Sequence, residues 1–284
     1  MATAVITFTY NENVNLPIWI RYYGLNFGEE NLYVADHGST DESMRDLGKV
    51  NKITLPRHKF DEFEKTDFMS YFHRALLSFY DVVIITDCDE LLVPDPRKFE
   101  SLAAYVAKMT DEYVSCIGLN VVHIINKDDP IDLTKGILTQ RRYARFGSSG
   151  CKILLSRVPI NWLPGLHSCS KPPRFDGNLF LFHTKWIDYN LAMARQRVNR
   201  ETVWSEKSRT QKLGLHHQFE AERFVRIGFL DPLNLVNTNQ LHPFNFSEEI
   251  ATITNETKEK EGFFYIPMNL SKMCEIPDYF QRCF

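Results

Sequence analysis

Between residues 4 and 86 the chain keeps switching between two periods, and this switching limits its fold more than any other feature. "AVITFT" (4–9), "NLYVAD" (31–36), "NKITLP" (51–56) and "DVVIIT" (81–86) are short runs rich in aliphatic and β-branched residues, as strands are. The intervening segments carry helical spacing. In "NLPIWIRYYGLNFG" (15–28) Leu16, Trp19, Ile20, Tyr23 and Phe27 form one stripe, Asn15 is placed to cap it, Pro17 suits its first turn and Gly28 its end. "STDESMRDLG" (39–48) reads as a short helix and "DEFEKTDFMSYFHRALLSFY" (61–80) as a long amphipathic one. Strands alternating with helices predict an α/β fold with a mostly parallel central sheet flanked by helices. Such sheets bind ligands beyond the carboxyl ends of their strands. Three of those ends are polar: Thr9-Tyr10-Asn11-Glu12, Asp36-His37-Gly38-Ser39 and Asp87-Cys88-Asp89-Glu90. They are predicted to meet in one crevice.

Beyond residue 95 the pattern loosens. Residues 96–109 read as a helix, and 113–125, 151–158 and 178–186 as strands. From about 188 to 225 the chain turns helical and charged, and its tail is mixed. The expected division is a catalytic domain over 1–188 and a helical or irregular extension over 189–284 that packs on it. With 284 residues and 44% hydrophobic content the chain supports a sizeable core. A net charge of −3 argues against a nucleic-acid binder, which would show a basic face. The six cysteines form no CxxC pair, which argues against a zinc ribbon and for reduced thiols. No secretory signal and no apolar span of about 18 residues is visible. The expectation is a cytoplasmic protein, with peripheral docking on the inner face of a membrane left open. No GxGxxG follows the first strand, which disfavours a dinucleotide dehydrogenase.

The sharpest chemical signal is "DVVIITDCDELLV" (81–93). In an extended chain Asp87 and Asp89 share one side, with Cys88 opposite. Two adjacent carboxylates repel unless a cation lies between them. Mg²⁺ or Mn²⁺ suits such oxygen ligands and keeps open positions for phosphate. At the end of a buried strand, an Asp-x-Asp pair is a place for a metal that carries a diphosphate.

These residues resemble a family. "TYNENVNLPIWIRYYGLNFGEENLYVADHGSTD" is similar to the opening of family 2-type glycosyltransferases of GT-A fold, and "DCDELLV" is similar to their DxD element. "FGSSGCKILLSRVPINWLPGLHS" and "LFLFHTKW" resemble the related bacterial family 2-like and family 92-like enzymes. The resemblance spans about residues 4–186 and implies a nucleotide-sugar donor, most commonly a UDP-sugar, and a glycan or lipid-linked acceptor of a bacterial-type surface polysaccharide. By position it implies Thr9, Tyr10 and Glu12 in the base pocket, Asp36 on the base or ribose, and Asp87 and Asp89 on the ribose and the metal. It also implies a late histidine ligand, His183 or His167. Lys152, Arg157 and Lys185 lie near the motifs and are candidate phosphate contacts, with solvated surface favoured for Arg157. An inverting transfer further needs a carboxylate to take the acceptor proton. The family's usual Glu-Asp motif is not evident, leaving Glu90, Asp128, Asp129, Asp176 and Asp188, the last two because they flank the histidines. Trp162, Trp186 and Trp204 are candidate sugar platforms, with a core role expected for two of the three, and His216 and His217 read as surface.

Two rivals remain. The same motif resembles the nucleophile motif of haloacid-dehalogenase-type phosphohydrolases, with Asp87 attacking phosphate and Asp89 as acid/base. Against it, Leu91 stands where that motif wants Thr or Val, and three strand–helix units precede it. A non-catalytic glycan-binding module would be expected to have lost these acids or the late histidine.

Overall fold

The computed structural model describes the backbone of residues 1–284 and every side chain except those of Leu215 and His216, so the surface reading of His216 lies outside the described residues. The expected alternation is present as β1 (Thr3–Thr9), α1 (Asn15–Phe27), β2 (Leu32–Asp36), β3 (Asn51–Thr54), α2 (Glu62–Leu76) and β4 (Val82–Ile85). β5 (Glu90–Pro94), α3 (Leu102–Lys108), β6 (Tyr113–Val122), β7 (Tyr143–Gly147), β8 (Ile153–Ser156), β9 (Ser168–Cys169) and β10 (Phe175–Trp186) follow. The C-terminal segment holds α4 (Tyr189–Glu201), α5 (Glu206–Thr210), α6 (Ala221–Val225), α7 (Asp231–Asn237), α8 (Ser247–Glu256), β11 (Lys258–Lys260), β12 (Phe263–Tyr265) and β13 (Ser271–Glu275).

The main sheet runs β13-β7-β6-β8-β4-β1-β2-β3, with β10 beside β6 and β5 beside β10. β4, β1, β2 and β3 form a parallel block, and β10 is parallel to β6. β8, β7, β13 and β5 add antiparallel pairings. The parallel block explains the unbroken apolar run of β4, because side chains on both of its faces are covered. Val5 and Ile84 join α1's Leu16, Trp19 and Tyr23 in one core. Ala4, Ile6, Val83 and Ile85 join α2's Met69 and Leu76 in another. Each fully buried aliphatic side chain here contributes roughly 1.5–3 kcal/mol of transfer free energy.

Local chemistry departs from expectation at several places. The helix expected over 39–48 is only a turn, Glu42–Met44, because Asp41 accepts from the Ser43 amide and hydroxyl and the segment has little apolar surface to bury. Asn15 does not cap α1; Val14 holds the cap position, and Asn15 donates its side-chain amide to Glu12 at 3.1 Å. The C-terminal extension is not purely helical: β13 pairs with β7 at the sheet edge, and β11-β12-β9 form a small second sheet. All three candidate sugar-stacking tryptophans, Trp162, Trp186 and Trp204, are buried in cores. His217 is half-buried near Trp204 rather than on the surface.

Candidate active site

The carboxyl ends of β1, β2 and β4 meet as predicted, but not with the predicted orientation of the acids. Asp87, Cys88 and Asp89 lie in a tight turn between β4 and β5, closed by the Glu90 amide donating to the Asp87 carbonyl at 3.0 Å. Strand alternation therefore does not apply, and each acid finds its own cation. Asp87 Oδ1 accepts from Lys65 Nζ at 2.9 Å, and its Oδ2 lies 3.8 Å from Lys152 Nζ. Asp89 Oδ2 lies 3.0 Å from His183 Nε2 on β10. β10 is parallel to β6, which sets His183 opposite Asn120, and His183 Nδ1 lies 3.0 Å from Asn120 Oδ1.

Behind Asp87 runs a buried chain of alternating charge. Lys152 donates to Glu90 Oε1 at 2.6 Å, with side chains 5% and 3% exposed. Glu90 Oε2 in turn accepts from the Asp87 amide at 3.3 Å. On the other side Lys65 sits between Asp87 and Glu62 of the same helix. Burial pushes the Asp87 carboxyl up, but Lys65 and Lys152 together hold it well below the usual range. Burial likewise raises Asp89, and the charge and hydrogen bond of His183 outweigh it, leaving the group at about 2.

On the far side of Asp89 lies a cavity of about 300 Å³, walled by the start of α1, the end of β10 and α4. Glu12 lines this cavity. Arg195 of α4 grips it through Nη2–Oε1 at 2.7 Å, while the same guanidinium's Nη1 donates to the Tyr10 and Asn11 carbonyls at 2.8 and 2.7 Å. Burial pushes Glu12 up to about 7, with Arg195 opposing and Asp89 adding to the rise.

The remaining predicted positions divide cleanly. Tyr10 sits under the Arg57 guanidinium, 3.5 Å from ring centroid to carbon, and Arg57 Nη1 lies 2.9 Å from His37 Nδ1. Asp36 holds the next turn, accepting from the Ser39 amide at 2.8 Å, with Lys52 Nζ 3.5 Å from its other oxygen. Thr9 is buried, and its hydroxyl has no partner among the described residues. Lys152 is committed to Glu90, so it supports the acids from beneath. Arg157 donates to the Met109 carbonyl. Lys185 lines the cavity. His167 is fixed by its Nδ1 contact with the Ser149 carbonyl at 2.7 Å, and burial lowers it to about 3. It stands on the Lys152 side, leaving His183 as the histidine that meets the Asp-x-Asp acids.

Three of the five acids named as acceptor-base candidates are engaged by other groups of the chain. Asp176 accepts from the Tyr105 hydroxyl at 2.5 Å and the Asn178 amide at 2.7 Å, and does not line the cavity. Asp188 caps α4 through its Asn190 and Leu191 amides and faces Arg141 and the Ile131 amide. Glu90 is sealed beneath Asp87. Lys65, Arg195 and Asn120 escaped notice in the sequence, where Asn15 stands out only as a helix cap. A signal for Lys65 exists: the inner face of α2 carries Glu62, Thr66, Ser70 and His73, which are polar where a purely structural helix would be apolar. Arg195 lies in a uniformly charged stretch and has no such signal.

Among the described residues no group of three or more His, Cys, Asp or Glu side chains is spaced as a complete metal cage. The Asp89–His183 pair nonetheless fits a cation that takes its other ligands from substrate and water. Nδ1 faces the Asn120 side-chain oxygen and Nε2 faces a carboxylate oxygen. A carboxylate oxygen suits Mn²⁺ or Mg²⁺, and a neutral imidazole is a common metal ligand, so the pair offers two positions of a divalent ion's shell.

No protein-family model matches the chain, and no curated protein matches it. Among solved structures it is similar to a mycobacterial protein, at 17% identity over 42% of this chain and 41% of that one, with a TM-score of 0.28. It is also similar to glucosyl-3-phosphoglycerate synthase from Mycobacterium tuberculosis, at 16% identity over 44% and 45% of the two chains, with a TM-score of 0.27. A third is mannose-1-phosphate geranyltransferase from Thermus thermophilus, at 9% identity over 88% and 68%, with a TM-score of 0.29. The chain spans less than half the length of the first two. Nothing about activity follows from likenesses this slight, and the chemistry must be read from the site itself.

Proposed function

We propose that this chain is a glycosyltransferase that moves a sugar from a nucleoside-diphosphate donor, of the UDP-sugar class, to a hydroxyl of a glycan or lipid-linked acceptor. One observation carries the reading. Asp89, which lies beyond the carboxyl end of β4 and lines a cavity that can hold a second substrate, faces His183 at 3.0 Å. Asp89 and His183 would hold Mn²⁺ or Mg²⁺, which when bound neutralises charge on the departing diphosphate. The chain's own residues do the rest. Lys65 and Lys152 keep Asp87 ionised and fixed, and Glu90 locks Lys152 in place. Tyr10, Asp36, His37 and Arg57 form the polar and aromatic wall offered to the base and ribose. Glu12 is the carboxylate that lines the cavity beside Asp89, and at about 7 it is poised to accept the acceptor's proton. Arg195 and Asn15 orient it.

Thermal-shift measurements against UDP, GDP and their sugars, with and without Mn²⁺, test the reading. UDP with Mn²⁺ is expected to raise the melting temperature, as a ligand selective for the native state must. Asp89→Asn is expected to remove the rise without unfolding the protein. Release of inorganic phosphate from an aryl phosphate, with no response to any nucleotide, would instead establish the phosphohydrolase. No structural observation favours that rival, since both oxygens of its would-be nucleophile, Asp87, already face lysines.

A further inference from the structure

The cavity beyond Asp89 holds an imbalance that the donor reaction does not use. Five charged side chains line it: Glu12, Asp41, Asp89, Lys185 and Arg195. Four are spent. Arg195 is shared among Glu12 and two backbone carbonyls, Asp89 meets His183, and Asp41 caps the Glu42–Met44 turn. Lys185 alone has no carboxylate within 4.0 Å and no hydrogen bond among the described residues. Its ammonium rests near the rings of Trp186 and Phe224, 5.1 and 5.9 Å from their centroids. Aromatic faces stabilise a cation weakly and do not replace a counter-ion.

The backbone aims this cation deliberately. The register of β10 against β6 slips between His183 and Trp186. In a regular strand consecutive side chains point to opposite faces, yet Thr184 and Lys185 both line the cavity. Irregularities of this kind redirect a side chain next to a site. The cavity is also a compartment of its own. Tyr10, Asp36, His37 and Arg57 are absent from its walls, while Asp89 lines it. Leu191, Val198 and Phe224 give it an apolar side, while Asn11, Asn15 and Asn199 offer amides, a mixture suited to a sugar ring.

We propose that this cavity is the acceptor site and that it takes a saccharide bearing an anionic group, whose charge pairs with Lys185. The proposal rests on the glycosyltransferase reading for the word acceptor. It does not rest on it for the existence of the anion site.

The test is direct binding by saturation-transfer NMR and calorimetry, using glucuronate, glucose 6-phosphate and glucose as probes, on wild type, Lys185→Met and Lys185→Arg. Wild type is expected to prefer at least one acidic probe to glucose by about ten- to hundredfold, the range of a charge-assisted hydrogen bond. The better of the two acidic probes says whether the group is a carboxylate or a phosphate. Lys185→Met should abolish the preference and Lys185→Arg keep part of it, with UDP affinity unchanged in both. Because Lys185 has no ionic partner to orphan, Lys185→Met should melt near wild type, and Lys185→Arg reports if it does not. Equal binding of the three probes, no detectable binding of any, or a loss of UDP affinity in place of probe affinity would overturn the assignment. If acidic probes bind through Lys185 but no nucleotide binds wild type, the anion site stands and the glycosyltransferase reading falls.

Discussion

Replacing Lys152 with Met should be among the most damaging single changes away from the apolar cores, and the size of the loss can be worked from the structure. Lys152 and Glu90 are 2.6 Å apart, with side chains only 5% and 3% exposed. Deleting the ammonium leaves Glu90 with the Asp87 amide, at 3.3 Å, as its remaining hydrogen-bond donor. Breaking a buried pair by removing one partner costs about 3–5 kcal/mol, because the surviving charge is left uncompensated. At roughly 2–3 °C per kcal/mol for a chain of this size, the melting temperature should fall by roughly 6–15 °C. Burial already raises the Glu90 carboxyl, with Lys152 opposing it, so the variant will raise it further. A carboxyl raised in the folded state contributes stability that is complete below its unfolded value and lost as pH rises through its folded value. The penalty should therefore shrink as pH is lowered and the orphaned Glu90 takes up a proton. Urea unfolding followed by circular dichroism, at several pH values, measures this. Adding Glu90→Gln to Lys152→Met removes the orphaned charge and should recover more than half of the loss at neutral pH. If Lys152→Met costs less than about 1 kcal/mol, or the double variant loses as much as the two single variants summed, the buried ladder does not hold Asp87 as argued.

Three further outcomes follow from the same geometry. Glu12 stands at about 7 in the folded chain against an ordinary value of 4.5; since the raised form is the protonated one, its contribution is complete below pH 4.5 and is lost as pH passes 7. At about 1.4 kcal/mol per pH unit the gap is worth ~3 kcal/mol, so the wild-type-minus-Glu12→Gln difference in unfolding free energy should fall by about that much from pH 4.5 to 7, and a difference that stays flat would refute the raised value. Asp89→Asn and His183→Gln should each weaken Mn²⁺ binding, read by electron paramagnetic resonance, by about ten- to hundredfold, whereas His167→Gln should leave it within about twofold. Gly118→Ala should cost about 1–3 kcal/mol in urea unfolding, because its Cβ would stand 2.5 Å from backbone atoms of Gly150, which cannot swing aside as a side-chain tip can.

How far the sequence reveals this molecule depends on whether a residue's role is set locally or by its neighbours in space. The parallel block is legible because VVII is apolar on both faces, which only a covered strand requires. The carboxyl-end crevice is legible for the same reason, since strand direction follows from the alternation. The edge strand β13 and its neighbour β7 are not, because an exposed edge needs no unbroken apolar run and their pairing joins residues more than a hundred positions apart. The small turn at Glu42–Met44 shows the opposite failure: its cap signal is real, but a cap alone does not supply an apolar face to extend it.

The acids themselves mark the limit most sharply. Alternation predicts that Asp87 and Asp89 share a side and a cation, and it would do so if β4 continued through them. It stops at Ile85, and the turn that follows lets Cys88 bury itself while the two carboxylates separate. Which cation each then meets is decided by α2 and by the strands β8 and β10, elements whose sequence positions say nothing about their distance from residue 87. Two lysines claim Asp87, while Asp89 meets the histidine whose strand lies parallel to β6 beside Asn120. The division of labour follows from this. Asp87 is held ionised by the protein's own cations and orders the turn, while Asp89, whose carboxylate meets an imidazole, is the acid that the proposed reading gives to a divalent ion. A variant that frees Asp87, such as Lys65→Met, should therefore disorder the turn and weaken Mn²⁺ binding at Asp89 without touching either metal-facing side chain. Unchanged Mn²⁺ affinity in that variant would show that the two acids act independently.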